Sequence, residues 1–347
     1  SGLWGGESYT ENPGTSPEQL ANPNLKWETT NQLDLGFDIS LFDDRVTVIY
    51  DYYYKKTDNL LLAVPVPMST GFEELVQNFG ELENEGMELS ISGDVIKQQD
   101  LNWNLKFNIS GNRNKILELA SPFNVYNRDI YRYQEGYPMY SFYLHKQLGV
   151  DPQTGEPIFE DVDNNGTFNP NVDRKIVGNA NPDFFGGITN RFNYRNFDLS
   201  VFFQYSYGGD QLNWNRFFQE HGGTRNTGFM SSQLDRWQEP GDQTMVPKMT
   251  SDNYASNLRP SRFLEDGSYM RLKKATVGYS LPAEFLGGLG ISSLRFYITG
   301  QNLLTFTNYS GLDPEVTATA TSSLTKGIEF YTQPQARSVI GGFDIKF

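Results

Sequence analysis

Period-two alternation recurs nine times along this chain, and the connections between the alternating stretches switch strictly between short and long. Leu33, Leu35, Phe37, Ile39 and Leu41 alternate with Gln32, Asp34, Gly36, Asp38 and Ser40. After a tight turn at 42–45, Val46, Val48, Tyr50, Tyr52 and Tyr54 take up the same rhythm. Side chains on a strand point alternately to its two faces, so each stretch predicts a strand with one apolar and one polar side. Met87, Leu89 and Ile91 mark a third strand, and Leu101, Trp103, Leu105, Phe107 and Ile109 a fourth. A weaker fifth lies around Ile188, Phe192 and Tyr194, followed by Phe197, Leu199, Val201, Phe203, Tyr205 and Tyr207. In 268–281, Met270 and Leu272 sit on one parity and Ala275, Val277, Tyr279 and Leu281 on the other, so a bulge is expected. Leu294, Phe296 and Ile298 form the eighth strand. The ninth puts Val339, Gly341, Phe343, Ile345 and Phe347 on one face, with Ile340 the misfit.

Short turns are expected at 42–45, 97–100, 195–196 and 282–293. The long connections carry Pro65, Pro67 and Gly71, then cover about 111–183, 208–267 and 302–336. Residues 1–30, rich in Gly, Pro, Asn and Ser, read as a loop, and 140–150 as a poorly patterned local strand. A soluble sandwich has no reason for this asymmetry. An outer-membrane β-barrel has one, with short periplasmic turns and longer extracellular loops. No stretch approaches the roughly 18 apolar residues of a membrane helix, which leaves a barrel open. The 25 Phe, 20 Tyr and 5 Trp suit aromatic girdles, and the run Tyr50 to Tyr54 suits an interfacial belt.

The expected fold is therefore all-β: about nine antiparallel strands of a large transmembrane barrel with long extracellular loops. Nine antiparallel strands leave the first and last parallel, and bacterial single-chain barrels have even strand numbers. Residues 1–347 are accordingly expected to be the C-terminal part of a larger barrel. Phe343, Ile345 and Phe347 are expected on the strand that an assembly machine reads.

Several segments resemble a known family. Asn24-Leu25-Lys26-Trp27-Glu28-Thr29-Thr30-Asn31-Gln32, Asn78-Phe79-Gly80 and Asn84-Glu85-Gly86-Met87-Glu88 resemble segments of SusC-like (SusC/RagA) TonB-dependent transporters. So do Gly178-Asn179-Ala180-Asn181-Pro182-Asp183, Tyr269-Met270-Arg271-Leu272-Lys273 and Gly300-Gln301-Asn302-Leu303. The resemblance implies a barrel of about 22 strands with a plugged lumen. It implies a plug domain and earlier strands upstream of Ser1, the rest of the same barrel and outer-membrane lipid as neighbours, and location in the outer membrane of a Gram-negative bacterium. It further implies a SusD-like surface lipoprotein as partner, the TonB complex reached through the missing N-terminal part, and import of a nutrient, an oligosaccharide or a peptide.

Other classes fare worse. A net charge of -14 argues against a nucleic-acid partner. With no cysteine and only His145 and His221, there are no disulfides or cysteine metal sites and little for a triad or a metallohydrolase. Glu73-Glu74 and Glu81 to Glu88 match no paired-carboxylate site, so catalysis is not expected. A secreted all-β glycan-binding module is the alternative.

Two sets of residues are candidates for sites. Asp161, Asp163 and Asn165, followed by Gly166, match the front half of a calcium loop; Val172 stands where the bidentate Glu belongs, and Asp173 comes one residue late. Calcium, or an ion-free Asn/Asp turn, accounts for it equally. Trp214, Phe217, Phe218 and Trp237 lie in the long connection 208–267, where they would stack on substrate, meet a partner protein, or form that loop's own small core.

Overall fold

The computed structural model describes residues 3–9, 12–72, 74–78, 80–119, 121–125, 129–223, 228–250, 258–287, 290–318 and 325–347. Nine strands form one antiparallel sheet in chain order: β1 (Thr29–Leu41), β2 (Val46–Asp58), β3 (Glu81–Lys97), β4 (Leu101–Glu118), β5 (Phe184–Tyr194), β6 (Phe197–Tyr207), β7 (Tyr269–Ser280), β8 (Ser293–Thr307) and β9 (Ser338–Lys346). Each pairs with its neighbours in sequence, and β1 and β9 are the edges.

The alternation sets the register. Phe37 pairs with Tyr50, Tyr50 with Leu89, Leu89 with Ile109 and Ile109 with Gly186. The row continues through Tyr205, Met270 and Phe306. A one-residue slip anywhere would move a strand's whole apolar set to the other face. Apolar side chains such as Val277, Ile298 and Phe343 remain exposed on that face, where hydrocarbon rather than protein would cover them. On the opposite face Thr276 and Thr299 meet through their hydroxyls at 2.9 Å.

Three details correct or sharpen the sequence reading. The parity change in β7 is a bulge: Phe202 pairs with Lys274 and Phe203 with Leu272, leaving Lys273 as the extra residue. β3 and β4 run well past their apolar rows, where residues of opposite charge stand opposite one another in the ladder: Glu83 with Lys115 and Glu85 with Arg113. The stretch read as a loop at 1–30 contains a hairpin, Leu3–Tyr9 with Asn12–Gln19, and the second connection contains another, Leu61–Pro65 with Glu74–Asn78. Glu73 and Phe79 lie outside the described residues.

The connections alternate as expected. β1–β2, β3–β4, β5–β6 and β7–β8 are joined through 42–45, 98–100, 195–196 and 281–292; the others span 59–80, 119–183, 208–268 and 308–337. Antiparallel pairing then requires all four long connections to emerge at the same end of the sheet.

Candidate functional site

The long connections fold together at that end. Tyr131, Phe142, Leu144, Trp214, Phe217, Phe263 and Ile328 share one buried cluster drawn from the last three of them. The segment read as one local strand at 140–150 is two: Ser141–Leu144 pairs with Lys175–Asn179, and Gln147–Val150 with Pro157–Phe159. His145 lies between them. Its Nδ1 accepts from the Arg259 N–H at 2.8 Å, and its Nε2 donates to the Pro170 carbonyl at 2.9 Å. Burial, aided by Arg174 and Arg259, pushes the imidazole pKa down, so His145 stays neutral and serves as a pin between two loops.

The four aromatic candidates separate. Trp214 and Phe217 lie on a single-turn helix, Trp214–Gln219, whose N-cap Asn213 side chain accepts from the Arg216 N–H at 2.9 Å. They are only 7% and 6% exposed, with ring centroids 5.0 Å apart, and Phe217 meets Phe263 edge-on. Both therefore serve the loop core and present no face to a sugar or a partner. Phe218 is half-buried against Phe330. Trp237 is half-buried; its Nε1 donates to the Pro152 carbonyl at 2.9 Å, tying 208–268 to 119–183.

Charged groups missed in the sequence hold the same loops. Glu220, fully covered, takes both Arg216 and Arg262. Arg271 of β7, 2% exposed, reaches Asp313 and Glu315 of the last connection. Burial pushes the Asp313 carboxyl up, but Arg271 and the amides of Gln335 and Glu315 outweigh it and hold it below the usual carboxylate range. Glu329 accepts from Tyr309 Oη at 2.6 Å and Asn215 Nδ2 at 3.0 Å, yet burial still pushes its pKa up. Nothing in the local sequence announces these partners, which lie up to 114 residues apart. An arginine on the polar parity of β7 is the one available signal.

The family-like segments have structural roles here. Asn78 donates to the carbonyls of Lys26 and Asn59 and accepts from the Lys26 N–H at 2.6 Å, while Glu28 accepts from the Leu61 N–H. Asn179 and Asn181 both donate to the Met139 carbonyl.

Asp161, Asp163 and Asp173 converge, each offering an oxygen within 4.8 Å of the others. Two oxygens on one calcium at about 2.4 Å stand at most about 4.8 Å apart, so the three fit a shared ion. Asp173, one place after Val172, would supply the carboxylate that the twelfth position lacks. Its carboxylate accepts from Asn169 and Val162 amides at 2.6 and 2.8 Å, which hold its pKa below the usual range. Asn165 points its carbonyl at Thr167 and its Nδ2 at Asp163, so it would have to turn over to be a ligand. The same amides make a good ion-free turn.

The model of a family described as TonB dependent receptor-like, beta-barrel, matches residues 3–303. The chain is similar to TonB-dependent receptor P3 of Formosa agariphila, 38% identical over 94% of this chain and 35% of that protein. It is 30% identical to TonB-dependent receptor SusC of Bacteroides thetaiotaomicron over 96% of this chain and 33% of that one. Among solved structures, the RagAB peptide transporter superposes with a TM-score of 0.86 at 27% identity, covering 100% of this chain and 38% of that chain. The chain thus spans about a third of the length of the curated relatives it matches.

Proposed function

Since this chain belongs to the TonB-dependent receptor β-barrel family, we propose that it is the C-terminal barrel portion of an outer-membrane importer that takes up an oligosaccharide or peptide nutrient with energy delivered through TonB. The family match over residues 3–303 carries this reading. The architecture agrees with it: an apolar band on one face of nine strands, and a folded cap of long connections at one end. A glycan-binding sandwich would bury one face of each sheet against another, whereas here the apolar face is uncovered. The plug and the earlier strands belong to the remainder of the protein. Deleting the gene should abolish uptake of one class of oligomeric nutrient, and complementation should restore it only when the inner-membrane TonB system is intact. TonB-independent restoration would refute the reading.

The proposed partner is a SusD-like lipoprotein seated over the cap, as the relationship to SusC and to the RagAB structure suggests. Its docking surface cannot use Trp214 or Phe217, which are inside. Phe229, Leu234 and Leu312 are apolar and more than half exposed on the same connections, so they are the apolar groups that this end of the sheet offers to a partner. Exchanging these three for serine should reduce co-purification of the lipoprotein while leaving the barrel inserted. Unchanged co-purification would place the docking surface elsewhere.

A further inference from the structure

Between the polar face of β5–β7 and the connections folded over it lies a cavity of about 370 Å³, within the size range of small-ligand pockets. The wall contributes Gln204 and Tyr269, and the connections contribute Asp210, Glu315 and Lys326. The three charges differ in how they are answered. Glu315 accepts from Arg271 Nη1 at 2.7 Å and Lys273 Nζ at 2.6 Å. Lys326 has no carboxylate partner among the described residues: its ammonium donates to Asn181 Oδ1 at 2.8 Å, and burial pushes its pKa down with no charged group offsetting it. Asp210 meets no cation among the described residues; its Oδ2 accepts from the Asn179 N–H at 2.8 Å. Burial, with Asp266 and Asp183 beside it, pushes its carboxyl up.

Lys326 Nζ also lies 5.9 Å from the centre of the Tyr140 ring, but among the described residues neither Lys326 nor Asp210 meets an opposite charge, and a ligand that supplies one to each is favoured at partly buried charges. We propose that this cavity is a subsite for a zwitterionic ligand of the peptide class, its carboxylate meeting Lys326 and its ammonium meeting Asp210. Gln204 and Tyr269 stand along the wall as hydrogen-bonding contacts for the peptide backbone. A neutral oligosaccharide would use those contacts but answer neither charge. This inference rests on the importer reading and names its substrate class.

The test uses the full-length protein in detergent and equilibrium binding of a tetrapeptide library with free ends, its N-acetylated and C-amidated counterparts, and neutral malto-oligosaccharides. Free-ended peptides should bind. Lys326→Met and Asp210→Asn should each weaken them roughly tenfold or more, the size of one lost charge-assisted contact. Lys326→Arg should retain binding. Amidation should weaken binding to wild type yet add nothing in Lys326→Met, and acetylation should behave likewise with Asp210→Asn. Absence of peptide binding, preference for the malto-oligosaccharides, or indifference of peptide binding to both substitutions overturns the inference. Uptake in cells separates the two levels: uptake that needs the gene but ignores Lys326→Met and Asp210→Asn refutes the subsite alone, whereas uptake that does not need the gene refutes the importer.

Discussion

Gly186 in β5 stands where a β-carbon would run into the Asn108 carbonyl of β4, and the Tyr205 hydroxyl, 2.9 Å from that same oxygen, closes the remaining space. Neither obstacle yields easily, since one is backbone and the other is held by its own hydrogen bond. Gly186→Ala should therefore cost about 1–3 kcal/mol, as overpacking does, and lower the temperature at which the full-length barrel loses its compact form in gel-shift assays. Gly341 in β9 has nothing within 4 Å of that position, so Gly341→Ala should leave that temperature unchanged. His145 makes a second residue-scale prediction. Its folded-state pKa lies below the unfolded value of about 6.5, so the unfolded chain binds more protons as pH falls through that window. The stabilisation is fully present above pH ~6.5 and is lost as pH drops through the folded-state pKa. Protonation also removes the lone pair that accepts from Arg259. Protection factors for hydrogen exchange in 141–150 and 258–263, corrected for the intrinsic exchange rate at each pH, should fall on acidification in wild type, and this pH dependence should flatten in His145→Gln.

Among the elements, the acidic turn at 161–173 is the one whose role turns on an ion. Three carboxylates that share a space of 4.8 Å repel one another, and a divalent cation would reverse that; we propose calcium as the ion. Removal of calcium by a chelator should then expose 151–180 to protease while leaving the nine-stranded sheet intact, because none of its ladder bonds passes through this turn. Asp173→Asn should mimic the chelator. Equal protease sensitivity with chelator and with excess calcium would assign the turn to its Asn and Asp hydrogen bonds alone.

For the whole molecule, the alternation of connections makes a topological statement. Residues 43–44, 98–99 and 195–196 should face the periplasm, and 58–78, 111–180 and 210–265 the cell exterior. Cysteines placed singly at Asn165 and Gln98 test this readily, since this chain has none of its own. A membrane-impermeant thiol reagent on intact cells should label position 165 and spare position 98; the reverse would invert the barrel. The two sheet edges, β1 and β9, pair with no further strand among the described residues, and a membrane tolerates no such edge. Their pairing with further strands is the corresponding expectation for the full-length protein.

The strands were legible because a strand's pattern is local: two-residue alternation records which face is apolar and which polar, and each strand can be read without knowing its neighbour. Even the bulge in β7 showed as a parity change between Leu272 and Ala275. β5 was faint because Gly186 and Asn190 occupy places where apolar residues would have marked it, and the ladder with β4 and β6 supplied what its own side chains did not. The cap was not legible. Trp214 and Phe217 look alike in sequence whether they face a ligand or a core, and only the approach of Phe263 and Ile328 made them core. Asp173 was visible in the sequence as a carboxylate one place late; only the chain path set it beside Asp161 and Asp163 and turned the Asn165 carbonyl toward Thr167. Glu220 with Arg262, Arg271 with Asp313, and Lys326 with its cavity depend on segments dozens of residues apart meeting in space. Periodicity carries no information about such meetings, so for these the tertiary structure alone decided.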